Sequence, residues 1–323
     1  MEKVLITGGA GFIGSHMCEY FLARGHEVVA LDNLSTGRME NIAHLMGRGR
    51  FKFVRDSIRN LQVLDRLASE STLLIHLAAA VGVSLILEDA VGGMETNIGG
   101  SEDVLRASLR YGLRTIIASS SEVYGKGISV PFSETDDVVL GNVGFLRWSY
   151  AISKLADEAL ALAYHSQHDL PVTVVRFFNT VGPRQTGQYG MVLPRLMGQA
   201  LKGEPVTVYG DGTQRRCFCD VQDAIVAVYD LAMHREVGGM IFNVGSNEEV
   251  SIGELAERIV RCAGSKSTIK LVPYSEAYPP GFDDMMRRVP DISRIKTQIG
   301  WEPKLTLDDI MGRIKDDISR RRG

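Results

Sequence analysis

The chain has 323 residues, 45% of them hydrophobic and 23% charged, with a formal charge of -3. That length allows one large domain or two intimately packed ones, and a charge so near neutral gives no electrostatic case for nucleic acid or an anionic membrane as partner. Met1-Glu2-Lys3 runs into a strand pattern without a signal-peptide profile, and the longest apolar run, residues 73–87, is broken by His76 and Ser84 and too short to span a bilayer, so a cytoplasmic protein is expected.

Val4-Leu5-Ile6 reads as a first strand, followed by a glycine cluster and a helix over 14–24. Further strands are predicted at 28–31, 51–54, 73–77, 114–118 and 172–176, and helices at 94–111 and 150–165. Short β-branched runs alternating with amphipathic helices imply parallel βαβ units with right-handed crossovers. Beyond Asn179 the pattern loosens: Gly182-Pro183, Gly187, Gly190, Pro194, Glu204-Pro205 and Gly210-Asp211-Gly212 mark loops and turns. Helices return at 221–233, 252–262 and 307–318, as in a smaller lobe laid over the sheet's C-terminal edge, with a cleft between. There is no repeat or low-complexity linker, and Arg320-Arg321-Arg322 reads as a solvated tail. Cys18, Cys217, Cys219 and Cys262 make no disulfide framework in a chain this size. No Cys/His set accompanies Cys217 and Cys219, so no metal is expected.

Two motifs carry chemistry. Gly8, Gly11 and Gly14 follow the first strand and open the first helix, where glycines let backbone N–H groups approach a pyrophosphate at a positive helix end. Asp32 stands at the end of the next strand, placed to accept ribose hydroxyls and repel a 2′-phosphate, so NAD is expected over NADP. Arg38 is the residue that would instead accommodate a phosphate. At the other end, Tyr150 and Lys154 lie one helical turn apart. A phenol with a pKa of about 10 becomes a usable base when an ammonium favours the phenolate. Ser119-Ser120-Ser121-Glu122 directly follows the fifth strand, at the sheet edge where ligands bind.

With those elements in that order, the chain resembles the extended short-chain dehydrogenase/reductases, in their nucleotide-sugar epimerase, dehydratase and decarboxylase branch, over essentially its whole length. Matching pieces include Asp32-Asn33-Leu34-Ser35-Thr36-Gly37, His76-Leu77-Ala78-Ala79, Thr96-Asn97-Ile98-Gly99-Gly100, Arg176-Phe177-Phe178-Asn179, Gly182-Pro183-Arg184 and Gly210-Asp211-Gly212-Thr213-Gln214-Arg215-Arg216. The resemblance implies an α/β fold, a Rossmann doubly wound parallel sheet with a smaller C-terminal substrate lobe. Residues 1–178 would be the NAD-binding domain, 216–244 would return to it, and 179–323 would mainly bind the sugar nucleotide. It implies cofactor contacts from Gly8, Gly11, Phe12, Ile13 and Gly14; from Asp32, Asn33, Ser35, Thr36 and Gly37; from Asp56 (to adenine), Ser57, Leu77, Ala78, Ala79, Asn97 and Ser119; and from Tyr150 and Lys154. Ser121, Glu122, Asn179, Val192, Arg195, Tyr209, Arg216 and Arg288 would contact a UDP-sugar, with Asn179 and Arg216 on its diphosphate. The family commonly dimerises through the helices carrying Tyr150 and Asn97. Ala151, Leu155, Ala159 and Leu162 would suit that seam or an intramolecular core alike.

Members of the branch share oxidation of the sugar at C4, aided by the residues matching Tyr150, Lys154 and Ser120. Glu122, where simple epimerases carry a small neutral residue, suggests chemistry beside the ketone, either water loss or decarboxylation; it would otherwise order its loop or bind a hydroxyl. Arg147-Trp148-Ser149-Tyr150 resembles UDP-apiose/xylose synthases and the lipid A pathway's UDP-glucuronate decarboxylase. Phe282-Asp283-Asp284, Arg287-Arg288-Val289-Pro290-Asp291-Ile292 and Gly300-Trp301-Glu302-Pro303 resemble those enzymes and UDP-xylose synthases, in which the arginine matching Arg288 reaches the departing carboxylate. Arg288 would alternatively serve the diphosphate or a salt bridge. Ser121 replaces the cysteine of apiose formation and the aspartate of dTDP-glucose dehydratases, and the run from Ala80 to Ser84 departs from the usual decarboxylase pattern. The expected activity is UDP-glucuronate decarboxylation with NAD regenerated each cycle; the alternatives are 4-epimerisation and 4,6-dehydration. A Rossmann sensor would have lost the tyrosine or lysine, which are both present.

Overall fold

The computed structural model describes residues 1–81, 89–127, 129–187, 191–277 and 285–321. Residues 82–84 and 282–284, with Gly190 and Arg322, fall outside them. In chain order, β1 (Lys3–Thr7), α1 (Phe12–Ala23), β2 (Glu27–Asp32), β3 (Phe51–Arg55), α2 (Leu61–Ser69) and β4 (Leu73–His76) form the first half-sheet. Then α3 (Ala90–Met94) passes through a π turn at Glu95–Gly99 into α4 (Gly100–Tyr111), and β5 (Arg114–Ser120), α5 (Trp148–His168) and β6 (Val172–Phe177) follow. The rest comprises β7 (Thr180–Val181), α6 (Val192–Lys202), β8 (Val206–Tyr209), β9 (Arg215–Cys217), β10 (Cys219–Asp220), α7 (Val221–Met233), β11 (Ile241–Val244), β12 (Glu249–Ser251), α8 (Ile252–Ala263), β13 (Ile269–Val272), α9 (Tyr274–Ala277), β14 (Arg287–Arg288), α10 (Ser293–Ile299) and α11 (Leu307–Arg320).

Seven strands form one parallel sheet in the order β11-β6-β5-β4-β1-β2-β3. Val4, Leu5 and Ile6 are fully buried because helices cover both faces, as in a doubly wound parallel sheet. One face packs on α1 and α7 through residues such as Met17, Phe21, Ile225 and Val228. The other packs on α2, α4 and α5 through Leu64, Leu67, Val104, Leu105 and Ala161. A separate core under α6, α8 and α11 joins Leu193, Leu196, Leu255, Ile259, Ile310 and Ile314. The order of strands reverses between β1 and β4, so their carboxyl ends open a crevice there.

Helix boundaries shift from the expected ones by a few residues. The larger difference is α6: in sequence Pro194 marks a loop, but it stands in the helix's first turn. A proline there removes only an N–H that has no partner within the helix. Cys217 and Cys219 belong to two strands, with Phe218 between them.

The helix α5 carries polar groups on its buried face. Glu158 accepts two bonds from Arg176, at 2.9 and 2.7 Å, and the hydroxyl of Ser119 also donates to it. A charge pair this deep is weak evidence for stability as a pair, but removing one member strands the other. Glu158→Gln is therefore expected to cost about 3–5 kcal/mol, read from urea unfolding; a loss below 1 kcal/mol on the order seen for surface pairs would refute it.

Two buried histidines make the fold acid-sensitive. Burial drives His76 down to about 3 and His16 down to about 4, so both are neutral in the folded chain. The unfolded chain binds protons at these positions first, so stability falls as pH drops from about 6.5 towards 4 and 3. Melting temperature should decline over that window, and less steeply in His76→Gln.

Candidate active site

A cleft of about 500 Å3 lies at the strand ends. On its floor, Gly8, Gly11 and Gly14 form the turn from β1 into α1. Gly8 has φ +71°, and a Cβ on it would stand 2.8 Å from the Ala78 nitrogen; one on Gly14 would collide with the Gly8 carbonyl oxygen. The helix α1 has Gly11 as its cap, no side-chain cap bond and no acid in its first turn. Its first-turn amides are thus left facing the cleft with no acid of the helix's own to occupy them, which fits a pyrophosphate.

Asp32 ends β2, where its carboxylate accepts from the amides of Ala10 at 2.9 Å and Leu34 at 2.8 Å. Burial pushes its pKa up, and those amide bonds oppose the shift. A carboxylate has lone pairs to spare beyond two bonds, so Asp32 both ties the glycine turn to β2 and keeps acceptor capacity for a ribose. A Cβ on Gly37 would lie 2.7 Å from Asp32 Oδ2, which explains the glycine.

The wall opposite comes from β5 and α5. Ser120 ends β5, and its hydroxyl stands beside the phenol of Tyr150. Burial pushes the phenol up, while the Lys154 ammonium and the Ser120 hydroxyl pull it down. Lys154 is buried, and its Nζ donates to Asp157 Oδ2 at 3.0 Å. Burial opposes the charge on Lys154, but Asp157 and Tyr150 outweigh it and raise its pKa.

Glu122 sits between two arginines, with Arg288 Nη2 at 2.7 Å from one carboxylate oxygen and Arg147 Nη2 at 3.2 Å from the other. Burial pushes Glu122 up, yet Arg288 and Arg147 hold it below the ordinary range, so it is ionised. Arg288 also donates to Ser121 at 3.5 Å. The strands β14 and β9 run parallel with Arg288 opposite Arg216. Like charges in one register repel, and Glu122 is the carboxylate that offsets them. Arg216 is buried and bonds backbone carbonyls of Arg215 and Met286. Asn179, at φ +38°, donates to the Cys217 carbonyl, and Arg195 stacks 4.3 Å over the Tyr209 ring.

Of the residues singled out above, Gly8, Gly11, Phe12, Ile13, Gly14, Thr36, Leu77, Ala79, Ser119, Ser120, Ser121, Glu122, Tyr150, Lys154, Asn179, Val192, Arg195, Tyr209, Arg216 and Arg288 line this one cleft. Asp32, Asn33, Ser35, Gly37, Asp56, Ser57, Ala78 and Asn97 are not among its lining residues. Asn97 is buried, accepting from the amide of Ala80 and donating to Ser153, so it braces the turn after β4. Arg147 had not been singled out by role; its place three residues before Tyr150, on the same helical face, was the available signal. Arg184, from the Gly182-Pro183-Arg184 piece, also lines the cleft, as do Thr186, Met191 and Tyr274, which nothing local in the sequence marks. No group of three or more metal-ligating side chains occurs among the described residues.

The family model described as "NAD dependent epimerase/dehydratase family" matches residues 4–245. The chain is 42% identical to a UDP-N-acetyl-alpha-D-glucosaminuronate decarboxylase of Bacillus cytotoxicus, over 94% of each chain. It is 35% identical to UDP-glucuronic acid decarboxylase 1 of Arabidopsis thaliana, covering 99% of this chain and 70% of that one. The crystal structure of a UDP-glucuronic acid 4-epimerase from Bacillus cereus, in complex with UDP-glucuronic acid and NAD, superposes with a TM-score of 0.89 at 30% identity, over 99% of both chains.

The glycine turn yields a direct expectation. Gly14→Ala should weaken NAD binding by at least about tenfold, or 1.4 kcal/mol, by calorimetry; unchanged affinity would mean that the turn does not cradle the cofactor.

Proposed function

This chain belongs to the NAD dependent epimerase/dehydratase family, and we propose from that premise that it decarboxylates a UDP-activated uronate, through a transient 4-keto sugar, to a UDP-pentose or its N-acetylamino counterpart. NAD is its cofactor; bound over the glycine turn, it supplies the hydride acceptor for C4 and returns the hydride later, so net redox change is zero.

The protein's own residues supply the rest. Tyr150 takes the proton of the C4 hydroxyl, Ser120 holds the same oxygen, and Lys154 favours the phenolate. Once oxidised at C4, a uronate is a β-keto acid. The C5–C6 bond electrons pass into the ketone, CO2 leaves, and C5 takes up one proton from solvent, the proton that the net reaction consumes. Arg288 meets the carboxylate while it is attached, and Tyr150 returns a proton to the C4 oxygen. Arg216, Asn179 and Arg195 are assigned to the diphosphate and nucleotide.

The observation that carries this reading is Glu122 clamped by Arg288 and Arg147. Dehydration needs an acid for the leaving hydroxyl. Glu122 is the one carboxylate among the described residues lining the cleft, and it is held ionised. Ser121, beside it, cannot replace that acid at neutral pH. Two guanidiniums around a single carboxylate leave a net positive pocket, suited to an anionic sugar. The Bacillus cytotoxicus and Arabidopsis relatives, named as decarboxylases, support decarboxylation over 4-epimerisation of the same uronate.

The domain division we adopt is residues 1–178 for the cofactor, with 216–244 returning to it, and 179–323 mainly for the sugar nucleotide; β11 joining the large sheet supports it. A homodimer through α4 and α5 is supported by Leu155, Ala159 and Leu162, which the fold leaves partly open. No described helix is long and apolar enough to cross a membrane. Four free cysteines fit the reducing cytoplasm we assign.

Incubation with catalytic NAD and either UDP-glucuronate or UDP-N-acetylglucosaminuronate should release one CO2 per sugar, by mass spectrometry, without accumulating NADH. A product of unchanged mass would refute decarboxylation. Tyr150→Phe should lower kcat by about 100-fold or more while NAD still binds.

A further inference from the structure

Behind Tyr150 runs a buried polar file with no part in the steps above. The amide of Ala78 donates to Thr7 Oγ1 at 3.3 Å, and Thr7 Oγ1 lies 2.8 Å from His76 Nδ1. His76 Nε2 lies 3.2 Å from Ser101 Oγ, and the Ser101 hydroxyl is near enough to Asp157 to favour its carboxylate. Asp157, wholly buried, meets Lys154 Nζ at 3.0 Å. One proton order runs along the file, Thr7 O–H to Nδ1 and Nε2–H to Ser101, which leaves the Ser101 hydroxyl proton to turn towards the carboxylate. Asp157 stands at the end of this file and accepts from Lys154.

Four other titratable groups act on the Tyr150–Lys154 pair. Glu158 comes from α5 and is paired with Arg176. Glu122 follows β5 and is paired with Arg288 and Arg147. His76, from β4, is neutral. Asp157 alone among these carboxylates is balanced by the catalytic lysine itself.

We propose that Asp157 is a positioning residue acting on Tyr150 through Lys154: its buried carboxylate fixes the ammonium beneath the phenol and offsets part of that charge, setting the lowest pH at which Tyr150 can accept the C4 proton. The proposal rests on Tyr150 being the base. It joins the turn after β4, which packs on the cofactor's glycine loop, to the catalytic helix. Burial raises the phenol and Lys154 lowers it, and Asp157 is among the groups that raise it again.

The test uses the full-length enzyme with NAD, comparing the acid limb of kcat against pH with an ultraviolet difference titration of each protein minus its Tyr150→Phe counterpart. Asp157→Asn removes the offsetting charge, so both the limb and the phenol titration should move down by about one pH unit. Asp157→Glu keeps the charge and should leave them in place even where kcat falls. Ser101→Ala, which preserves the ion pair but removes a hydroxyl that favours the Asp157 carboxylate, should give a smaller downward shift; it decides the matter if Asp157→Asn does not fold. An unmoved limb in the neutral variants, or equal shifts in Asp157→Glu, overturns the proposal. Turnover retained by Tyr150→Phe would instead overturn the assignment of the base, a separate outcome.

Discussion

Glu158 is buried against the sheet, with Arg176 of β6 on one side and Ser119 of β5 on the other. That carboxylate fastens α5 to two adjacent strands at the height where both strands end. Ser120 is the next residue along β5, and Tyr150 lies two turns before Glu158 on the helix. The spacing between hydroxyl and phenol is therefore set by a bond neither of them makes. A purely apolar seam would hold the helix as tightly but would let it slide along its axis.

The site is arranged around charge that arrives with the substrate. Arg288 and Arg216 stand in register on neighbouring strands, Arg147 approaches from the helix, and Glu122 is the lone carboxylate among the described lining residues to meet them. In the free protein Glu122 satisfies the arginines in part. A bound uronate and diphosphate bring the balancing anions, so the cost of collecting three guanidiniums is offset when the substrate is in place. The same arrangement keeps Glu122 from acting as an acid, and this separates the proposed decarboxylation from dehydration.

The two ends of the reaction use different parts of the fold. The cofactor end we assign is mostly backbone, the glycine turn and the uncapped amides of α1, with the Asp32 side chain tying that turn to β2. The sugar end is made of long side chains from the smaller lobe, held on short strands β9 and β14 and on α6. The separate core of that lobe brings Arg216, Arg288 and Arg195 over strand ends they are far from in sequence.

The sequence by itself determined the features that depend on local chemistry and short spacing. The alternation of strand and helix, the glycines of the β1–α1 turn, the acid ending β2, the serines after β5 and the Tyr150–Lys154 turn were all legible, because each is a constraint between residues a few positions apart. α6 was missed because a proline in a first turn looks like one in a loop. Only the tertiary structure decided what Glu122 is: its spacing says carboxylate near C5, but its ionisation comes from Arg147, 25 residues on, and Arg288, 166 residues on. The same holds for Asn97, which proved to brace a turn, and for Asp157, whose place beside Lys154 is local but whose burial against Ser101 and His76 is not. Charge and hydrogen-bond partners across the core follow from which strands lie side by side, and no local pattern records that.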